Sequence, residues 1–361
     1  MQRILRRLAC FTLAVSYVAA GFGLSRKPPS AGQGDQVAPS GPNPSLSPFV
    51  DVHAHLDPAD PARSVRSALE ALAAENAAKI VFMPPPFTAD DPARYDAELI
   101  LPAAKDHRDT VAVLGGGGTL NAMIHKAVQS GDAGPGIQWR FQQRAEELMR
   151  AGAVGFGELA AEHFPGATPY QSAPPDHPLF LLLADIAAEH GVPIDLHMEA
   201  IPQTMAPPAG VTVPGRPQLE ANLAGFERLL AHNPRARIIW AHAGWDNTGY
   251  RTPELCRRLL GAHPNLYMDV KVDPVRPGRN SPLSGGGSGT LKAEWLRVFQ
   301  DFPDRFVIGT DQHYPQPPAG PQRWQAAVLL LNQLPAELRQ KIGMDNAAKL
   351  YFSGSPPRSP R

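Results

Sequence analysis

Cysteine is nearly absent: only Cys10 and Cys256 occur in 361 residues, and Cys10 falls inside an N-terminal leader. A chain left with one thiol forms no intrachain disulfide, so a large buried core must stabilise it. Cys256 itself sits in a helix-prone stretch and reads as a small buried hydrophobe. Charge of one sign is missing too. Lys+Arg and Asp+Glu both number 34, a formal net charge of +0, which argues against nucleic acid as a partner. A phosphate loop is excluded as well: the run Gly115-Gly116-Gly117-Gly118 permits close backbone approach but lacks the Lys-Ser/Thr of such a loop.

The ends of the chain read differently from its middle. Arg3, Arg6 and Arg7 precede an apolar run from Leu8 to Ala20, and Val18-Ala19-Ala20 forms a small-residue cleavage pattern before Gly21. Residues 1–24 therefore read as a secretory signal, which places the protein in the periplasm or outside the cell. The run is short for a membrane span of roughly 20 apolar residues. An uncleaved anchor reaching Leu24 is the competing reading and the one case implying a membrane partner. Without the leader arginines the remainder is mildly acidic. Residues 25–47 are rich in Pro, Gly and Ser and read as a disordered linker, and residues 353–361 as a similar tail.

Between these ends, short apolar runs alternate with amphipathic stretches. Eight read as buried parallel strands: Phe49–His53, Lys79–Met83, Thr110–Leu114, Val154–Leu159, Pro193–His197, Arg237–His242, Asn265–Val270 and Arg305–Gly309. Helices are expected over Ala62–Ala77, Pro92–His107, Gln138–Ala151, Pro178–His190, Gln218–Ala231, Pro253–Ala262, Leu291–Phe302 and Gln322–Leu334. Strict alternation predicts an α/β fold with a parallel sheet. The strand count and the polar residues gathered at the strands' C-terminal ends favour a closed (β/α)8 TIM barrel over residues 48–352, a single domain with long loops at that face. His190, His232 and His263 stand at helix ends beside Gly, Asn or Pro, and His107 ends an expected helix as well, positions that suit the helix dipole. Trp139, Trp240, Trp295 and Trp324 read as core or helix-packing residues.

The chemistry lies at the strand ends. The first strand closes Asp51-Val52-His53-Ala54-His55. Period-two alternation turns His53 and His55 to the same side, where two imidazoles can share one metal. By the same alternation Asp51 is expected to face the interior one layer deeper, in a supporting role. The fifth strand ends on His197, the sixth on His242 and the eighth on Gly309-Thr310-Asp311. One buried histidine at a strand end can be a satisfied core residue, but four such coincidences at one barrel mouth are hard to explain as packing.

This order, His-x-His followed by His, His and Asp on strands one, five, six and eight, resembles the signature of the amidohydrolase superfamily, and most closely its amidohydrolase-related branch of hydrolases and decarboxylases. The likeness spans about Phe49 to Phe352, including Asp345–Tyr351, which resembles that branch's closing helix. It implies that His53, His55 and His197 bind metal. It further implies that Asp311 binds metal and takes a proton from the attacking water, and that His242 polarises the substrate carbonyl or steadies an oxyanion. Zinc is the expected metal, as one or two ions, although Mn²⁺, Fe²⁺ or Co²⁺ would accept the same ligands. Many binuclear members carry a bridging carboxylated lysine on strand four. Here that strand reads Ala153-Val154-Gly155-Phe156-Gly157-Glu158-Leu159, so Glu158 either replaces the bridge or stands behind the ligands, orienting a histidine or binding substrate.

Three long loops, Ala160–Asp176, Glu199–Arg216 and Asp273–Thr290, are placed to build the pocket, with Ser284–Gly289 as a flap. Trp245, His163 and His313 are the expected substrate-binding residues, with Tyr250 and Tyr314 as further lining. The leading function is hydrolysis of an amide, ester or lactone of a small molecule by metal-activated water. The alternatives are metal-dependent decarboxylation of an aromatic acid and a non-catalytic exported barrel that binds a ligand. The sequence leaves the oligomeric state open.

Overall fold

The computed structural model describes residues 48–74, 77–166, 168–213, 215–272, 278–284, 289–315 and 323–352. The leader, the linker, the tail and residues 285–288 of the expected flap lie outside them. Among the described residues, no helix is long and apolar enough to cross a membrane.

All eight expected strands form, as β1 (Val50–Leu56), β2 (Lys79–Phe82), β3 (Val111–Val113) continued by β4 (Gly115–Gly116), β5 (Phe156–His163), β7 (Pro193–Met198), β8 (Arg237–Ala243), β9 (Leu266–Val270) and β10 (Phe306–Ile308). Two short extras accompany them. β6 (Gln171–Ser172) forms a hairpin with β5, and β11 (Gln312–Tyr314) extends beside β1. The pairing order is β3-β2-β1-β10-β9-β8-β7-β5-β4, parallel throughout. Only Leu114 separates β3 from β4, so this third barrel strand pairs with β2 on one side and β5 on the other. The sheet closes into the expected barrel. The Gly115–Gly118 run lets the backbone pass close to its neighbours: a Cβ on Gly117 would collide with the Pro84 carbonyl oxygen and lie 2.9 Å from that of Glu158, and one on Gly118 would collide with the Tyr95 carbonyl.

The helices follow their end signals. α4 (Pro135–Ala151), α5 (Pro178–His190) and α7 (Pro253–Ala262) each begin on proline, and Gly152 and Gly191 end the first two. Thr252 caps α7 by accepting from the Leu255 amide. The remaining expected helices appear as α1 (Pro61–Ala74), α2 (Ala97–Ala104), α6 (Leu223–His232), α8 (Ala293–Asp301) and α9 (Arg323–Leu331). An additional helix, α3 (Leu120–Ser130), buries Leu120, Ile124 and Ala127 on one face. That i, i+4, i+7 spacing is legible, but the neighbouring glycines give the segment the look of a loop. The helix-end histidines tie neighbours together: His190 lies 3.0 Å from Glu146, His232 3.0 Å from Asp185 and His263 3.7 Å from Glu227.

Two apolar layers result. The larger packs the sheet against the helices, with Trp240, Trp295, Trp324 and Cys256 buried in it. Burial pushes the Cys256 thiol up to about 12, so it is inert. The smaller fills the barrel: Val50, Val52, Ala112, Ile239 and Val307 meet Ala347, Leu350 and Tyr351 of the closing helical segment, which seals the end opposite the site. Trp139 departs from expectation. It is 63% exposed, because α4 turns Phe141, Ala145 and Leu148 inward and leaves position 139 on the outer face.

Candidate metal centre

β1 delivers its histidines through an irregularity. Its pairing with β2 slips between Asp51 and Ala54, which resets the alternation. Val50 and Val52 point into the barrel, and His53 and His55 also face the site. Asp51 therefore does not lie in the interior as expected. It faces α9, where it accepts from Trp324 Nε1 at 2.9 Å, Thr310 N at 2.9 Å and Thr310 Oγ1 at 2.6 Å. That arrangement anchors the turn leading into Asp311, whose amide donates to the His53 carbonyl at 2.8 Å.

β8 carries a second slip, between Trp240 and Ala243. Arg251 donates to the Trp240 carbonyl at 2.9 Å and to the Ala241 carbonyl, and so pairs carbonyls around the slip. His242 (φ 68) and Asp311 (φ 55) both occupy the left-handed region. Such conformations are costly for branched or bulky residues and concentrate at functional sites.

Glu158 is the hub. Its Oε2 lies 3.5 Å from His53 Nε2 and 3.4 Å from His55 Nε2. Its Oε1 lies 2.8 Å from His197 Nδ1 and 3.5 Å from His242 Nε2. One carboxylate thus divides its oxygens between two imidazole pairs. Asp311 Oδ1 closes the first pair, 3.1 Å from His55 Nε2. Asp311 Oδ2 is held by Lys271 Nζ and, at 3.1 Å, by Arg323 Nη1.

Opposite charges meet at the hub with little water between them. Burial opposes a charged imidazole at His53, yet Asp195 and Glu158 outweigh it and hold its pKa well above the usual range. Burial is likewise overcome at His197, where Glu158 and Glu199 raise the pKa to about 9. Burial works to raise the carboxyl of Asp311, but Lys271 and His55 hold it well below the ordinary value. Both ring nitrogens of buried His53 lack a hydrogen bond. Trios of donor atoms within 4.8 Å of one another are formed by His53, His55 and Glu158, by Glu158, His197 and His242, and by His53, His242 and Asp311. Clustered imidazole nitrogens and carboxylate oxygens are the donor set that divalent transition metals take, so these residues fit a metal.

A cavity of about 390 Å³ opens over the hub. Trp245, His163 and His313 all line it, together with Thr212 and Val211 from the Glu199–Arg216 loop. The His163 ring stands 4.6 Å from that of His197 and the His313 ring 4.7 Å from that of His55. Burial, then the adjacent His197, depresses His163 to about 4, which leaves it neutral near pH 7. Tyr250 and Tyr314 do not line the cavity. Tyr250 is 39% exposed, and Tyr314 is buried against Trp324 and Phe82 behind β1.

Five site residues escape the sequence reading: Asp195, Glu199, Asp269, Lys271 and Arg323. Three left a readable trace. Asp195 precedes His197 by two residues, as Asp51 precedes His53, and the seventh strand ends Asp269-Val270-Lys271. Glu199 and Arg323 reach the site from a loop and from the start of α9, where no strand-end rule applies.

The sequence profile of the family described as Amidohydrolase matches residues 50–352. No curated protein matches the chain. Among solved structures, it is similar to an apo protein of Agrobacterium tumefaciens at 15% identity, covering 87% of this chain and 99% of that one, with a TM-score of 0.48. It is also similar to amidohydrolase 2 from Bifidobacterium longum subsp. infantis at 15% identity, 85% and 100% coverage and a TM-score of 0.39. A third is 5-carboxyvanillate decarboxylase from Novosphingobium aromaticivorans with bound manganese, at 12% identity, 84% and 97% coverage and a TM-score of 0.44.

Proposed function

The chain belongs to the amidohydrolase family, and from that premise we propose that it is a metal-dependent hydrolase cleaving an amide, ester or lactone of a small organic molecule at a centre bridged by Glu158. The observation that carries this reading is the division of the Glu158 carboxylate between His53 with His55 and His197 with His242. His53, His55, Asp311 and Glu158 Oε2 would hold one ion, and His197, His242 and Glu158 Oε1 a second, with zinc best suited to the donors. When bound, such ions supply a Lewis acid and a water that loses its proton near neutral pH. His242 then serves as a ligand, in place of the polarising role read for it from the sequence.

The chain's own groups do the rest. Asp311, kept ionised by Lys271 and Arg323, accepts the proton of the attacking water and returns it to the leaving group. Neutral His163 offers a hydrogen bond to substrate. Trp245, with Lys271 Nζ 4.6 Å above its ring, forms one wall of the cavity. The leader read at residues 1–24 extends the proposal to export into the periplasm or medium.

The test is a panel of amides, esters and lactones offered to the zinc-loaded protein, alongside aromatic acids monitored for CO₂ release. Hydrolysis of at least one member is expected, abolished by a chelator and lowered about 10²- to 10⁴-fold in Asp311→Asn. Release of CO₂ without any hydrolysis would replace this reading with a lyase.

A further inference from the structure

Beneath Glu158, on the seventh barrel strand, stands a second carboxylate that touches both halves of the centre. Asp269 is fully buried (0% exposed). Its Oδ1 accepts from the His242 amide at 2.6 Å and lies 3.5 Å from His242 Nδ1, while its Oδ2 lies 3.3 Å from His53 Nδ1. His53 turns Nε2 to Glu158 and Nδ1 to Asp269, so the ring spans two carboxylates. We infer that Asp269 is a positioning residue that locks His53 and His242 together from below, one from each side of the centre.

Three features support this. First, the left-handed His242 (φ 68) lies inside the slip of β8 against β9, and Asp269 supplies the acceptor for its amide. A buried amide needs an acceptor, so the same carboxylate both permits that turn and fixes its angle. Second, a ligating histidine is commonly oriented by a group at its other nitrogen, and Asp269 Oδ2 is the nearer of the two carboxylates at His53 Nδ1, 3.3 Å away against 3.5 Å for Asp195. Third, the chain makes room for this group. A Cβ at Gly309 would lie 2.6 Å from Asp269 Cγ, so glycine at 309 leaves the space the carboxylate fills, one residue before the Thr310-Asp311 pair. Asp195 also approaches His53 Nδ1, at 3.5 Å. What sets Asp269 apart is its reach: its Oδ1 accepts from the His242 amide at 2.6 Å, whereas both oxygens of Asp195 are without a hydrogen bond and Asp269 Oδ2, like them, meets His53 by charge alone.

The inference rests on the metal centre proposed above, and Co²⁺ alone is a sufficient probe. Its affinity is measured by competition with a chelator, its geometry by the visible absorption spectrum, and folding by melting of the metal-free chain. Asp269→Asn keeps size and shape but replaces one acceptor oxygen with a donor. It is expected to weaken Co²⁺ binding about 10- to 100-fold and to alter the spectrum, with the metal-free melting temperature within a few degrees of wild type. Asp195→Asn is expected to change both much less. Wild-type affinity and spectrum in Asp269→Asn, or the full loss in Asp195→Asn instead, would overturn the assignment. Should Asp269→Asn fail to fold, Gly309→Ala displaces the same carboxylate, and unchanged Co²⁺ binding there overturns it equally. A wild-type protein that takes up no Co²⁺ would defeat the metal centre itself, a result distinct from any of these.

Discussion

His55 donates through Nδ1 to the Met83 carbonyl at 2.9 Å, and that bond turns its Nε2 toward Glu158 and Asp311. The strand after β1 thereby sets the tautomer of a residue on β1. A histidine whose Nδ1 carries the proton presents a free lone pair at Nε2, the form a metal needs. His53 has no such bond at either ring nitrogen and meets Asp195 and Asp269 at 3.5 and 3.3 Å. His55 is thus preorganised by a carbonyl that no spacing rule in the motif specifies.

Glu158 decides the metal count. Because its two oxygens face different imidazole pairs, elemental analysis of purified protein is expected to give two equivalents of metal per chain. Glu158→Ala is expected to hold one equivalent or less, at lower affinity. One equivalent in both proteins would instead make Glu158 the group that aligns His197 through their 2.8 Å contact.

How far the sequence carried depended on which physical rule placed each residue. Strand ends were readable because a buried parallel strand is an apolar run, so a polar terminus stands out; that exposes His53, His197, His242 and Asp311. Asp51 was misplaced because strict alternation cannot foresee the slip between Asp51 and Ala54, and one residue of slip exchanges the faces of a strand. Trp139 was misplaced for a related reason, since a large aromatic suggests burial while the helix phase set by Phe141, Ala145 and Leu148 excludes it. Lys271 and Arg323 act on Asp311 from other elements, and only the closed barrel brings the three together.

Asp51 is expected to matter for stability more than for chemistry. It accepts from the His53 amide, the Thr310 amide and hydroxyl and the Trp324 indole, joining β1 to the turn between β10 and β11 and to α9. Asp51→Ala leaves several buried donors without acceptors, each costing about 1–3 kcal/mol. A loss of about 3 kcal/mol or more should appear as a lower urea midpoint and a changed Trp324 environment in near-ultraviolet circular dichroism. A midpoint within error of wild type would show that this seam is held by packing alone.

His125, which is not among the residues of the metal centre, should govern part of the acid sensitivity. It is buried in α3 with Nε2 2.9 Å from the Ala160 carbonyl, and burial lowers its pKa from 6.5 to about 4. In the unfolded chain the ring titrates near 6.5, so between about 6.5 and 4 the unfolded state binds a proton that the folded state does not. The stability tied to the neutral ring is complete above pH 6.5 and drains as pH falls through that window, by up to about 3 kcal/mol. His125→Gln can keep a donor toward Ala160 but cannot titrate. It is expected to be somewhat less stable than wild type at pH 7.5 yet to lose less on going to pH 5, so the two urea midpoints should converge. Parallel losses in both proteins would mean that the ring is already protonated when folded, or that the α3 face opens before it titrates.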